Sequence, residues 1–150
     1  MPHAPSTLPP GQRAVAGFPR FGTQSIRPAP PVPRGPRLEV DGAGVIPFAV
    51  PLADLAEGLA RREQLSDLHC VAGWSAVRLR WEGVPFVEFW RHRVEPALPS
   101  GVLVSHVVLE GLDGYLIPAA VEDLLGDDLL LADRLNGQPL AGTTADRYAW

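Results

Sequence analysis

Residues 65–82 read Leu-Ser-Asp-Leu-His-Cys-Val-Ala-Gly-Trp-Ser-Ala-Val-Arg-Leu-Arg-Trp-Glu, and they contain both the clearest strand signals in the chain and its single cysteine, Cys70. Leu65 to Val71 predicts one strand and Gly73 a tight turn. From Ala76 to Glu82, Val77, Leu79 and Trp81 alternate with Arg78 and Arg80, which predicts a strand with one wet face. The two-residue period sends neighbouring side chains to opposite faces, so His69 and Cys70 cannot share a pocket unless a bulge intervenes. A lone cysteine on an apolar strand is ordinarily a small buried hydrophobe. A thiol delivered just before Gly73 and Trp74 stands instead at a strand end, where a side chain can meet a ligand. Core filler, nucleophile and metal ligand all remain open at this point. The nucleophile reading requires His92 or His106 to fold back onto the thiol.

Working outward, Leu38-Glu-Val40, an Asp41-Gly42 turn and Val45-Ile-Pro-Phe48 predict a short hairpin, its second strand confined to an edge by Pro47. Leu52, Leu55, Ala56 and Leu59 recur at helical spacing before Arg61-Arg62-Glu63 and predict an amphipathic helix. Pro85 opens a predicted helix from Phe86 to Val94, proline serving in the first turn where no amide donor is needed. Val102 to Leu109 reads as an apolar strand, Gly111-Leu-Asp-Gly114 as a turn, and Pro118 to Leu125 as a short helix. Leu129 to Leu135 reads as a strand closed by Asn136-Gly137. Strands and short helices interleave through hairpin-like turns rather than regular βαβ units, so the expected class is α+β with mixed β-sheets.

Composition divides the chain near Arg37. Residues 1–37 hold 10 of the 17 prolines, five arginines and no acid; residues 38–150 hold eight arginines against 17 acids. The first segment is expected to be an extended arm, loose or laid across the acidic remainder, and the second a single domain. The spacings Pro28-x-x-Pro31, Pro30-x-x-Pro33 and Pro33-x-x-Pro36 suit an SH3-type groove, although such arms more commonly serve as connectors. A net charge of −4 argues against a nucleic-acid partner. No signal sequence or apolar run of membrane-spanning length is visible, which predicts a cytoplasmic protein without a membrane span. One cysteine excludes an internal disulfide and a multi-cysteine zinc site, so a metal role requires one thiolate plus ligands carried by a cofactor.

Leu68-His-Cys-Val-Ala-Gly-Trp-Ser75, Trp81-Glu-Gly-Val-Pro85, Leu112-Asp-Gly-Tyr115 and Leu129-Leu-Leu-Ala-Asp-Arg-Leu-Asn-Gly137 together resemble the molybdopterin-binding oxidoreductase domain of the sulfite oxidase family. Leu8-Pro-Pro-Gly-Gln12 and Gly17-Phe-Pro-Arg-Phe-Gly22 look like the extended arm of its small bacterial members. The resemblance implies a molybdenum–molybdopterin cofactor, with Cys70 supplying the one protein thiolate to molybdenum and the pterin dithiolene supplying the other sulfurs. A soft, polarisable thiolate suits a metal that changes oxidation state. It further implies oxygen-atom or electron transfer on a small-molecule substrate, with a redox partner protein left unidentified. His69 either donates toward the pterin or satisfies a backbone carbonyl, the second being favoured. Ser105 and His106 fall where the family's strand leads toward the cofactor, or are ordinary strand polarity. Trp74 either walls the pocket or is plain core, and Arg78 and Arg80 either meet an oxyanion or form a solvated face.

After Leu135-Asn-Gly-Gln-Pro-Leu140 the family usually continues into a histidine-glycine turn, an arginine-bearing strand and a segment that holds the pterin phosphate. Here the sequence runs Ala-Gly-Thr-Thr-Ala-Asp-Arg-Tyr-Ala-Trp150. This reads as an incomplete C-terminus, with Arg147 a partial substitute, and predicts weaker retention of the cofactor because charge-assisted hydrogen bonds are missing. The alternative to an enzyme is a catalytically inactive relative serving as a binding module.

Overall fold

A long hairpin built from the central stretch organises the computed structural model, which describes residues 7–16 and 31–140. The readings placed on residues 17–30, on the Pro28 and Pro30 spacings and on Arg147 lie outside these described residues. In chain order the strands are β1 (Arg13–Ala14), β2 (Arg37–Val40), β3 (Phe48–Pro51), β4 (Arg62–Cys70), β5 (Trp74–Pro85), β6 (His106–Glu110), β7 (Leu116–Ala120), β8 (Leu130–Leu135) and β9 (Gln138–Pro139). Helices α1 (Phe86–Phe89) and α2 (Val121–Leu124) are single turns. The class is α+β with mixed sheets.

β5 is the axis of the main sheet. β4 runs antiparallel along one edge, while β1, in parallel, and β8, antiparallel, share the other, with β9 beyond β8. Two irregularities shape it. Ser66 faces Leu79 but Leu68 faces Ala76, so β5 carries an extra residue; there Arg78 takes φ +55 and its amide donates to Asp67 Oδ1 at 2.6 Å. Between Glu82 and Gly83 the register to β8 slips past Asp133. The carboxylate of this bulged residue accepts two hydrogen bonds from Arg61, at 2.8 and 2.5 Å. That pairing raises the Arg61 pKa above its ordinary value, chiefly through the hydrogen bond. Because the Arg61 side chain is 39% exposed, water screens the pair, and Asp133→Asn is expected to cost under about 1 kcal/mol of unfolding free energy, measured by urea titration.

The larger core gathers Leu55, Val84, Phe86, Phe89, Trp90, Val94, Val121 and Leu124. Four of these come from one helical stretch: α1 runs into a π-helical turn, Trp90–Val94, so Phe86, Phe89, Trp90 and Val94 share a face. Pro85 is the N-cap of this stretch and the last residue of β5. A smaller core holds Trp74, Ala76, Leu79 and Leu135, flanked by Val15, Leu68, Cys70, Trp81 and Leu140.

Several expected elements differ. The predicted helix over Leu52–Leu59 is one 3-10 turn, Leu52–Asp54, followed by turns. Its apolar face delivers only Leu55 to full burial, Gly58 takes φ +70, and so short a segment cannot offset the cost of helix nucleation. The strand expected from Val102 starts only at His106, leaving Leu103 96% exposed. Pro118 belongs to β7 rather than a helix, opposite Val108, and α2 begins three residues later. β7 pairs only with β6 among the described residues, and an outer strand tolerates a residue with no amide donor. The first hairpin forms, but β2 meets β3 beyond Pro47, with Leu38 opposite Val50.

A candidate cofactor site at the Cys70 hairpin

Cys70 is the last residue of β4. It faces Trp74 across the hairpin, so Val71-Ala72-Gly73 is a three-residue loop. The Gly73 amide donates to the Cys70 carbonyl at 3.0 Å and Gly73 has φ +84, a left-handed position that glycine takes without strain. Alternation places the Cys70 side chain with Leu68 and Trp74, partly buried beside the smaller core, and His69 with Ser75 on the opposite face. The separation of His69 from Cys70 therefore follows the strand period. Trp74 is 7% exposed and belongs to the core.

The opposite face holds a hydrogen-bond relay. Ser75, fully buried, joins His69 Nδ1 at 2.8 Å and donates to Gln12 Oε1 at 3.0 Å; Gln12 Nε2 donates to the Cys70 carbonyl at 3.0 Å. Ser75 has one hydroxyl proton, and with that proton on Gln12 the His69 Nδ1 must carry the other. The expectation that His69 satisfies a buried carbonyl is corrected: its ring is on an exposed residue and bonds a hydroxyl. Gln12 and Ser75 lie within the motifs of the sequence, but nothing local assigns either of them a role. The available signal was Pro9-Pro10-Gly11-Gln12, where proline then glycine suits a type II turn; the Gln12 amide donates to the Pro9 carbonyl at 3.1 Å and Gly11 has φ +79.

The remaining candidates lie elsewhere. Ser105 Oγ pairs with His106 Nδ1 at 3.0 Å where the chain enters β6, both residues exposed, while Val104 just before the strand and Val107 within it pack on the larger core. His92 Nε2 lies 3.4 Å from Glu88 on the helical stretch. No histidine ring among the described residues is hydrogen-bonded to the Cys70 sulfur, so the nucleophile–base pair of a cysteine hydrolase is not assembled there. Arg78 and Arg80 are exposed on β5, and Arg80 Nε lies 3.7 Å from Glu63. A shallow cavity of about 230 Å³ is lined by Gln64, Ser66, Trp81, Asp128, Leu130 and Ala132, and does not include Cys70.

The donor set fits a metal that arrives with its own ligands. Cys70 is a free, partly exposed thiol, and no group of three or more His, Cys, Asp or Glu among the described residues could cage a bare ion. No helix among them is long and apolar enough to cross a membrane.

The profile of the oxidoreductase molybdopterin binding domain matches residues 28–144. An uncharacterized oxidoreductase of Bacillus subtilis strain 168, YuiH, is 28% identical over 135 residues, covering 89% of this chain but 64% of the relative. The chain thus spans under two-thirds of that relative's length. With the expected cysteine hairpin formed, the expected fold class present and the profile running through both, the chain belongs to the oxidoreductase molybdopterin-binding domain family.

Proposed function

We propose that this domain binds a molybdenum–molybdopterin cofactor through the Cys70 thiolate and takes part in oxygen-atom or electron transfer on a small-molecule substrate. The observation that carries the reading is the placement of the only cysteine at a hairpin tip, partly exposed and with its carbonyl held by two donors. When bound, the cofactor supplies the redox chemistry. The chain's own part is to present Sγ in a fixed direction. Cys70 packs at the margin of the cluster formed by Trp74, Ala76, Leu79 and Leu135, and Gly73, at φ +84, lets the loop close tightly beside it. A thiolate offered alone adds one soft ligand without competing for the metal's other positions.

His69 and Ser105 stay in the proposal with different roles. His69, with Nδ1 committed to Ser75, has Nε2 directed away from that bond and available to a pterin edge as an acceptor when neutral. Ser105 immediately precedes β6 of the separate β6–β7 sheet, so its contact with a cofactor requires a ligand that spans from the hairpin to the start of β6. The test is quantitative metal and pterin analysis of the purified chain after exposure to the cofactor. Near-stoichiometric molybdenum with pterin supports the proposal; pterin without molybdenum selects the catalytically inactive binding module; neither one sinks both.

A further inference from the structure

We infer that Gln12 is a positioning residue for Cys70: a strap that holds the carbonyl of the cysteine and so sets the direction of its thiol. The inference builds on the proposed role of Cys70 as the cofactor's protein ligand.

Three features of the arm segment point the same way. First, the Pro9–Gln12 turn delivers Gln12 just before β1, and β1 docks in parallel beside the first residues of β5. The Arg13 amide donates to the Gly73 carbonyl at 3.1 Å, and the Val15 amide to the Ser75 carbonyl at 2.9 Å. The arm therefore grips the strand immediately after the cysteine loop, not a distant surface. Second, the Cys70 carbonyl receives two donors, Gly73 N–H from within the loop and Gln12 Nε2 from outside it, which uses both of its lone pairs. Third, the Gln12 amide cannot be reversed. Its Oε1 takes the Ser75 proton; flipping the group would set Oε1 against the Cys70 carbonyl, acceptor facing acceptor. A glutamine whose two ends are both fixed, one of them by a fully buried hydroxyl, is a rigid spacer across the hairpin.

The mechanical consequence concerns one torsion-defining unit. The Cys70 peptide carbonyl and the Cys70 side chain share a Cα, so fixing the carbonyl limits rotation of the backbone that aims Sγ. Val71, at 96% exposure, contributes no packing to hold the loop. The two bonds to the carbonyl hold the Cα–Cβ bond in place, and packing against the smaller core restricts the one remaining torsion that aims Sγ.

Gln12→Glu separates this role from simple docking of the arm. It is nearly isosteric and keeps an acceptor for Ser75, but replaces the donor to Cys70 with a carboxylate oxygen. In the full chain without cofactor, amide exchange at Gly73 and alkylation of Cys70 by iodoacetamide are each expected to accelerate about fivefold or more, as for loss of one hydrogen bond that restrains a local opening. Exchange at Val15, which reports pairing of β1, is expected to stay within about twofold of the unsubstituted chain. Gln12→Ala should behave in the same way at Gly73. Unchanged rates at Gly73 and Cys70 in both variants would overturn the inference, and so would an equal acceleration at Val15, since Gln12 would then merely fasten the arm. In protein loaded with the molybdenum cofactor, the thiolate-to-molybdenum charge-transfer band is expected to shift in Gln12→Glu; an identical band and identical metal retention count against the strap. A chain that takes up no molybdenum would remove the proposed function and leave the cofactor-free rates to decide the role of Gln12.

Discussion

Cys70→Ser is expected to leave the chain folded and to weaken molybdenum retention by more than about a hundredfold. Even partners outside the first coordination sphere commonly change metal affinity by about 10- to 100-fold, and removal of the proposed protein ligand should exceed that. The stability cost should be about 1 kcal/mol or less, because Cys70 is at the margin of the smaller core, not inside it, and a serine hydroxyl there can reach water. Metal content by mass spectrometry and the urea midpoint, measured on the same preparations, separate the two effects. A large drop in midpoint with unchanged molybdenum would show that the residue is core filler and that the metal is held elsewhere.

Gly83→Ala should act in the opposite manner, destabilising the sheet without touching the thiol. Gly83 is fully inside the main sheet, opposite Ala132 at the point where β8 bulges. A β-carbon there would run into the Leu131 carbonyl oxygen and come within 2.7 Å of the Ala132 Cα. Both are backbone atoms of a paired strand, so the overlap can be relieved only by moving β8 away from β5. The neighbouring Val84, fully buried, depends on that pairing to stay covered. The expected loss is about 3 kcal/mol, or roughly 10 °C in the melting temperature of a chain this size. Gly111→Ala is the control. Its β-carbon would meet the Asp113 Oδ1 at 2.8 Å, a side-chain atom that can swing aside at the cost of its hydrogen bond from the Tyr115 amide, about 1 kcal/mol. If Gly83→Ala melts no lower than Gly111→Ala, the close approach of β8 is not what holds the sheet.

These two substitutions bracket what the central stretch does: Gly83 is needed to assemble the sheet, and Cys70 is presented by it. The hairpin itself was legible because its information is local. Alternation from Ala76 onward, the glycine before Trp74 and the cysteine at the strand end are all decided by steric preferences within a few residues. The same holds for Asn136-Gly137, whose φ values of +50 and +79 suit the two-residue turn that joins β8 to β9. The family was legible for a different reason, because the cysteine motif and the Asp-Gly-Tyr turn are each specific residues in a specific order.

Other parts of the chain could not be read in that way. The spacing of Leu52, Leu55, Ala56 and Leu59 is helical, yet only Leu55 finds a fully buried place, and a short helix is stable only when packing covers its whole face. Pro118 reads as a helix start by itself and becomes a strand residue because β6 is beside it. The relay at Cys70 is the furthest from local reading: Gln12 is 58 residues from Cys70 and 63 from Ser75. The sequence by itself determined the central strands, the tight turns and the single thiol that a cofactor would take. Only the tertiary structure decided what holds that thiol in place, because β1 must first dock beside β5 before an amide from the arm can meet a carbonyl in the hairpin, and hydrogen bonds between distant segments leave no periodicity in the chain.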